Sequence, residues 1–385
     1  MKPAKRCEKI TPFIVMEIME KIHKMEASGI DVIHMEIGEP DFNVPECVNE
    51  VSIEAFLGNE THYTHSLGDI RLREAISQYH KITYDTTIDP GHILVTSGTS
   101  PAMLLLFSVL VNPGDEIIIS DPHYACYANF INYVQGIPVT VPVFEEEGFV
   151  YTPEAIKEKI TPKTRGIFIN SPSNPTGNVI PKERMQQIVD IADANNIYII
   201  SDEIYHGLVY EGHEHSIYEF TDKAFVLNGF SKLFAMTGLR LGYLIAPPEF
   251  VRALQILQQN FFICANSVAQ LSGVAALKDA HKETQEMRET YNKRRIYVID
   301  RLKKMGLGIT IDPTGAFYVF ANAKHISHDS YALAFDILEK AHVGVTPGID
   351  FGENGEGYLR FSYANSMENL KTGLDRLEGY LRELP

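Results

Sequence analysis

A chain of 385 residues, 45% apolar and 22% charged, has ample material for a sizeable core and for two domains. Its formal net charge of −16 opposes binding to nucleic acid or to an anionic membrane surface, both of which call for a basic face. Four dispersed cysteines (Cys7, Cys47, Cys126 and Cys264) contain no C-x-x-C pair and read as reduced thiols, not as a disulfide frame or zinc site. The basic start MKPAKRCEK runs into a stretch carrying Glu17 and Glu20, which cannot serve as the apolar region of a signal peptide. The longest apolar run, near 102–111, is about half of a membrane span. A cytoplasmic protein is expected.

Thr11-Pro12 can open a helix, with threonine as cap and proline first. Phe13, Met16, Met19 and Ile22 follow at helical spacing, and Gly29 can close it. In HMEIGEPDF, Gly38 and Pro40 break the chain, as a loop does where backbone must approach something closely. Asp69 or a near neighbour starts a helix carrying Leu72, Ala75 and Ile76. Tyr63 precedes it, at a position that usually packs half-buried. His62 and His65 have no metal spacing with a third ligand.

From there the pattern alternates. A strand over 93–96 leads through SGTS into a helical run over 101–111. A strand, a small polar turn and a helix N-terminus make a ready anion site, although many α/β turns look so and no P-loop or G-x-G-x-x-G is present. A strand over 116–120 ends in DPHYACY, where Tyr124 would open the following helix at the strand's carboxyl end, the side where ligands sit in such sheets. A capping-region tyrosine in the core is the plainer reading. Strands follow over 138–143, 165–170 and 198–201, with a helix over 182–195; Glu145 to Glu147 read as a solvated loop.

Two strand ends then carry polar chemistry. SPSNPTG turns at Asn174-Pro175, and SDEIY holds Asp202 and Tyr205. Asp202 serves on sequence alone equally well as a cap after the strand, and Glu203 should point the opposite way along an extended chain. Between strands over 224–227 and 243–246 lies NGFSKLFAMTGLRLG, with Ser231, Lys232 and Arg240. A lone lysine is ordinarily a solvated surface residue. Set among Phe230, Leu233, Phe234 and Met236, Lys232 could instead be desolvated toward a nucleophilic amine. Residues 248–277 read as mostly helical, and 278–305 as a long charged helix containing the domain change. Strands near 316–320 and 357–363 and a helix over 367–384 complete the chain; GENGEG supplies turns. Arg360, inside GYLRFSYA, either faces outward from an edge or turns inward, where its planar fork fits a carboxylate.

The segment SKLFAMTGLRLGY resembles the lysine segment of the class I/II aminotransferases, pyridoxal-phosphate enzymes of fold type I. The likeness runs from about Pro12 to Leu377. It implies that Lys232 joins the aldehyde of pyridoxal 5'-phosphate, and that Ser231 and Arg240 hold its phosphate with Gly98, Thr99 and Ser100. It further implies that Tyr124 stacks on the ring, Asp202 meets the ring nitrogen, and Asn174 and Tyr205 meet the ring oxygen. Gly38, Asn174 and Arg360 would bind substrate, Arg360 through the α-carboxylate. Tyr63 would cross a homodimer interface toward the neighbour's cofactor phosphate, and the N-terminal arm would also reach that subunit. Lys232, Asp202 and Tyr205 form the implied catalytic set.

The expected fold is α/β. A large domain over 45–285 holds a mostly parallel, mixed sheet flanked by helices, and a smaller α+β domain combines 1–44 with 286–385. The expected activity is amino-group transfer between an L-amino acid and a 2-oxo acid by a ping-pong mechanism. A carbon–sulfur β-lyase of the same fold would share the cofactor residues. A non-catalytic ligand-binding regulator would bring a DNA-binding domain ahead of this part; here only about a dozen residues stand there, and the chain as a whole is acidic. No lysine or arginine occurs between Lys81 and Lys157, so a cation for a second carboxylate must come from Lys5 or Arg6 in the arm, from Lys21 or Lys24, or from the partner subunit. Neutral amino acids are expected as substrates, with glutamate tolerated and no strong preference for aspartate.

Overall fold

The structure is a computed structural model that describes residues 4–384. Its strands, in chain order, are β1 (Ile33–His34), β2 (Ile93–Thr96), β3 (Glu116–Asp121), β4 (Ile137–Pro142), β5 (Thr164–Asn170) and β6 (Tyr198–Asp202). They continue as β7 (Ala224–Gly229), β8 (Gly242–Ile245), β9 (Tyr318–Asn322), β10 (Val343–Gly344), β11 (Thr346–Pro347) and β12 (Tyr358–Ser362). Seven form one sheet in the order β2-β8-β7-β6-β5-β3-β4. Its strands share one direction except β8, which is antiparallel to both β7 and β2.

The strand period of two divides this sheet's side chains between two apolar layers. Ile118, Ile167, Ile199 and Val226 pack with Leu72, Ile76, Ile188 and Ala276 on one face. Ile117, Phe168, Ile200 and Phe225 pack with Leu105, Leu106, Phe107 and Leu254 on the other. Helices therefore cover both faces, and the carboxyl ends of β5, β6 and β7 stay open for loops.

A second body forms around the antiparallel sheet β11-β12-β9. Ile18, Ile22 and Met35 from the chain start pack there with Tyr291, Val298, Phe317, Leu338 and Leu374. We propose the division 45–285 against 1–44 with 286–385, because the two sheet-face layers draw on residues from Val48 to Ala280 while this third cluster draws mainly on the two chain ends. Among the described residues, no helix is long and apolar enough to cross a membrane.

One local expectation is corrected and others are refined. The first helix spans Ile14–Ala27, with Phe13 at the cap position and no side-chain cap from Thr11. The Asp350 carboxylate accepts instead from Ile14 N (2.9 Å) and Val15 N (3.2 Å), while Thr11 bonds Asn129. A carboxylate complements the helix start by charge as well as by hydrogen bonding, so it displaces a hydroxyl. Gly29, with φ +85°, does end this helix. The stretch 248–277 is two helices, Pro248–Phe261 and Ser267–Asp279; Asn266 caps the second by accepting from Ala269 N. A helix following Tyr124 is expected and spans Cys126–Tyr133, whereas Glu46–Leu57 and Ser330–Ala341 have no counterpart in the sequence reading.

Candidate active site

A cavity of about 300 Å³ opens at the carboxyl ends of the large sheet, and Lys232, Asp202, Tyr205, Asn174 and Arg360 all line it. Lys232 sits in the loop between β7 and β8, where its Nζ donates to the Gly38 carbonyl oxygen at 2.6 Å. The rings of Tyr205 and Phe317 lie 5.7 and 5.8 Å from that nitrogen. Burial brings its pKa down to about 8, against the pull of Glu39; Arg360 and Arg240 push the same way as burial. The flanking Phe230, Phe234 and Met236 are buried in the core. The desolvation expected from the sequence is thus present, though the aromatic rings near the amine come from other segments.

Asp202 ends β6 and is buried. Tyr127 donates its hydroxyl to Oδ2 at 2.7 Å, and Ile204 N donates to Oδ1 at 3.1 Å. Burial nevertheless lifts its pKa to about 6, the two hydrogen bonds and Lys232 opposing. Glu203 points to the other side, as expected, and accepts from Ser201 Oγ, Ser216 Oγ and Ile217 N. Its role is that of a buried tie, since it is absent from the cavity lining.

The anion cradle is equally specific. Gly98 has φ +92° and occupies the cap position of helix Thr99–Leu110, whose first residues, Thr99 and Ser100, line the cavity. A Cβ on Gly98 would stand 2.5 Å from Arg240 Nη2, and one on Gly242 would stand 2.7 Å from the Gly98 carbonyl carbon. Backbone, helix start and guanidinium therefore meet with no room for a side chain between them. Arg240 itself holds φ +51°, a left-handed conformation uncommon for a residue with a Cβ. Ser231 and Thr99 line the same wall. These donors fit a phosphate dianion. Asp202 on the opposite side fits a protonated ring nitrogen, and the Lys232 amine fits an aldehyde between them. Pyridoxal 5'-phosphate matches this donor set.

Arg360 turns inward from β12 and is 3% exposed. It donates through Nη1 to Asn174 Oδ1 (2.8 Å) and through Nη2 to Glu36 O (2.5 Å) and Thr346 Oγ1 (3.1 Å). The rings of Tyr318 and Phe351 flank it at 4.4 and 4.9 Å, and Nε has no partner among the described residues. A buried guanidinium held by neutral acceptors keeps its charge for an incoming anion.

The remaining expected residues separate into two groups. Tyr124 and Gly38 line the cavity; Tyr124 meets Phe13 edge-on at 5.9 Å, and a Cβ on Gly38 would collide with the Tyr318 hydroxyl. Tyr205 shares a 2.7 Å hydrogen bond with Tyr318. Tyr63 is not brought to this cavity by its own chain. It stands 81% exposed on another surface beside His62, Arg71 and Leu271. Tyr127 and Tyr318 are site residues that sequence reasoning missed. Tyr127, three residues beyond Tyr124 at the start of a helix, had a signal in that spacing; Tyr318 had none, because its contacts to Tyr205 and Arg360 span long separations.

The family described as aminotransferase class I and II matches residues 30–377 of this chain. The chain belongs to the class I and II aminotransferases. It is 41% identical to (5-formylfuran-3-yl)methyl phosphate transaminase of Methanocaldococcus jannaschii, covering 99% of this chain and 100% of that one. Aspartate aminotransferase of Pyrococcus horikoshii is 40% identical, with 94% and 93% covered. Among solved structures, a double mutant of Thermus thermophilus aspartate aminotransferase superposes with a TM-score of 0.94 at 34% identity, covering 98% and 99%. As in that aminotransferase fold, a mixed seven-stranded sheet lies between helices, and amino-group transfer is the reaction class.

Proposed function

We propose that this aminotransferase works with pyridoxal 5'-phosphate in the cavity described, moving an amino group from a neutral L-amino acid to a 2-oxo acid in two half-reactions. The observation that carries the reading is the convergence of Lys232, Asp202 and Arg360, from three distant stretches of chain, on one cavity. Gly98, Thr99, Ser100, Ser231 and Arg240 would hold the phosphate, Asp202 the ring nitrogen, and Asn174 and Tyr205 the ring oxygen, with Tyr124 against the ring. When bound, the cofactor supplies an aldehyde for amines and a ring that takes up the electron pair released at the substrate Cα.

The protein's own contribution follows from the geometry. Lys232, with its pKa down to about 8, is the amine that carries the cofactor between turnovers and moves the Cα proton as base and then acid. Arg360 receives the α-carboxylate in its fork, which orients the Cα–H bond. Tyr127 keeps Asp202 ionised through its hydroxyl. Phe13, Val15, Met19 and Ile37 give the cavity an apolar wall that limits water beside the reacting atoms.

The same wall supports the substrate choice. The cations lining the cavity, among the described residues, are Lys232, Arg240 and Arg360, each with a role above. Of the other cations considered, Arg6 lies over Tyr133 and Lys21 bonds Glu339, Lys24 is absent from the cavity lining, and the Lys5 side chain lies outside the described residues. The relatives are named for quite different substrates, a phosphate-bearing furan aldehyde and aspartate, so the local lining is the better guide. A homodimer is supported by Ile53, Phe56, Leu57 and Tyr63, which leave apolar surface exposed on one chain. Free cysteines support a cytoplasmic setting. Borohydride treatment of the cofactor-loaded protein, followed by peptide mass mapping, should find the reduced cofactor on Lys232. Attachment at any other lysine would overturn the proposal.

A further inference from the structure

Segment 33–38 brings two main-chain oxygens to the site. Glu36 O accepts from Arg360, and Gly38 O accepts from Lys232. The same stretch carries a side-chain pair that the reaction does not use. Glu36 is fully buried; its Oε1 lies 2.7 Å from His34 Nδ1, and its Oε2 has no partner among the described residues. Room for this carboxylate is built into β10, where a Cβ on Gly344 would collide with Oε2. His34 Nε2 lies 3.1 Å from Glu26 Oε1, at the end of the first helix. Held between two carboxylates, first by the hydrogen bond to Glu36, His34 has its pKa raised to about 9 and is an imidazolium at neutral pH.

The placement matters because of Arg360. The carbonyl of Glu36 touches that guanidinium, so bond lengths alone keep the Glu36 carboxylate within about 9 Å of it. Left uncompensated, a buried negative charge at that range would weaken the positive potential that Arg360 offers to an anion. Asp350, another neighbouring carboxylate, is already engaged by Ile14 N and Val15 N. Among the described residues, the Glu36 carboxylate has His34 as its one side-chain partner.

We propose that His34 is a positioning residue for substrate binding: as an imidazolium on Glu36 it cancels a buried negative charge beside Arg360 and leaves the guanidinium to the substrate carboxylate. This rests on reading Arg360 as the site of that carboxylate. Removing the imidazolium charge should weaken carboxylate binding, and removing both members of the pair should restore it. A role limited to packing would make the double variant worse, not better.

The test is calorimetric titration of the cofactor-loaded protein with 3-phenylpropionate, a carboxylate without an amino group. His34→Gln should weaken binding about 10- to 30-fold, the effect of one unpaired charge at this distance. The double variant His34→Gln with Glu36→Gln should return to within about threefold of the unaltered protein, as should His34→Lys, which keeps the charge. With an amino acid donor, the His34→Gln loss should fall on KM and not on kcat. Unchanged binding in His34→Gln, or a double variant no better than it, would overturn the proposal. Should His34→Gln fail to fold, a weakening of about tenfold in Glu36→Gln or His34→Lys would overturn it equally. Arg360→Gln separates the two levels. If it leaves binding unchanged, or the unaltered protein does not bind the probe, the reading of Arg360 fails; if it weakens binding while His34→Gln does not, only the present proposal fails.

Discussion

Replacing Asp202 by asparagine should stabilise the cofactor-free protein and cripple the loaded one. The Asp202 carboxyl has a pKa of about 6 in the fold against an ordinary 3.8, with burial the leading cause. Because the folded value is the higher, the fold binds the proton more tightly than the unfolded chain does. This carboxyl therefore favours the fold increasingly as pH falls from about 6 toward 3.8, and above pH 6 its ionised form opposes folding. A shift of roughly two units corresponds to about 3 kcal/mol at 1.36 kcal/mol per unit. Asparagine escapes that cost; its oxygen can accept from Ile204 N while its amide donates to the Tyr127 hydroxyl, so it loses only the charge-assisted part of those bonds, about 1 kcal/mol. The cofactor-free variant should thus be about 2 kcal/mol more stable at pH 8, seen as a Tm higher by a few degrees. With cofactor, the loss of a charge at the ring nitrogen should lower kcat about 10²- to 10³-fold. A cofactor-free variant no more stable than the unaltered protein at pH 8, or a loaded variant of near-normal rate, would refute the reasoning.

Other predictions test the geometry and the family resemblance in turn. Tyr127→Phe removes the hydroxyl that holds the Asp202 pKa down, so the acid limb of kcat/KM should move to higher pH by about one to two units, a charge-assisted bond being worth ~1.5–3 kcal/mol; an unmoved limb would contradict the coupling. Mixing inactive Tyr63→Ala with inactive Lys232→Ala, under conditions that exchange subunits, should restore activity if Tyr63 serves the neighbouring site; none recovered, with exchange confirmed, would count against sharing. Across aspartate, glutamate, alanine, methionine and phenylalanine, kcat/KM should favour neutral donors; aspartate ahead of all by more than about 100-fold would reveal a dedicated cation.

Much of this site is legible in sequence because its parts sit at ends of strongly patterned elements. The continuous apolar runs Ile117 to Ile119 and Ile167 to Ile169 mark strands buried on both faces, and Lys232, Asp202 and the Gly98 turn all fall at the ends of such strands, although their roles there come from the family resemblance. What escapes is long-range. Asp350 capping a helix more than 330 residues away leaves no local signature, and the spare candidate Thr11 misleads. Two-residue strands such as β1 and β10 have no period to read, yet β1 leads into the Glu36 and Gly38 carbonyls. Arg360 shows the limit most plainly. Its strand is evident, but its inward turn is decided by Asn174, Glu36 and Thr346 from three other segments.

The most direct measurement follows labelled nitrogen. The loaded protein is given a ¹⁵N-labelled neutral amino acid with sulfur on Cβ, such as S-methylcysteine, together with unlabelled 2-oxoglutarate, and products are read by mass spectrometry. Amino-group transfer at Lys232 predicts ¹⁵N in glutamate, the matching 2-oxo acid from the donor, and neither product from Lys232→Ala. Release of the label as ammonia, with the donor's side chain eliminated and no labelled glutamate, would contradict transfer and show a lyase instead.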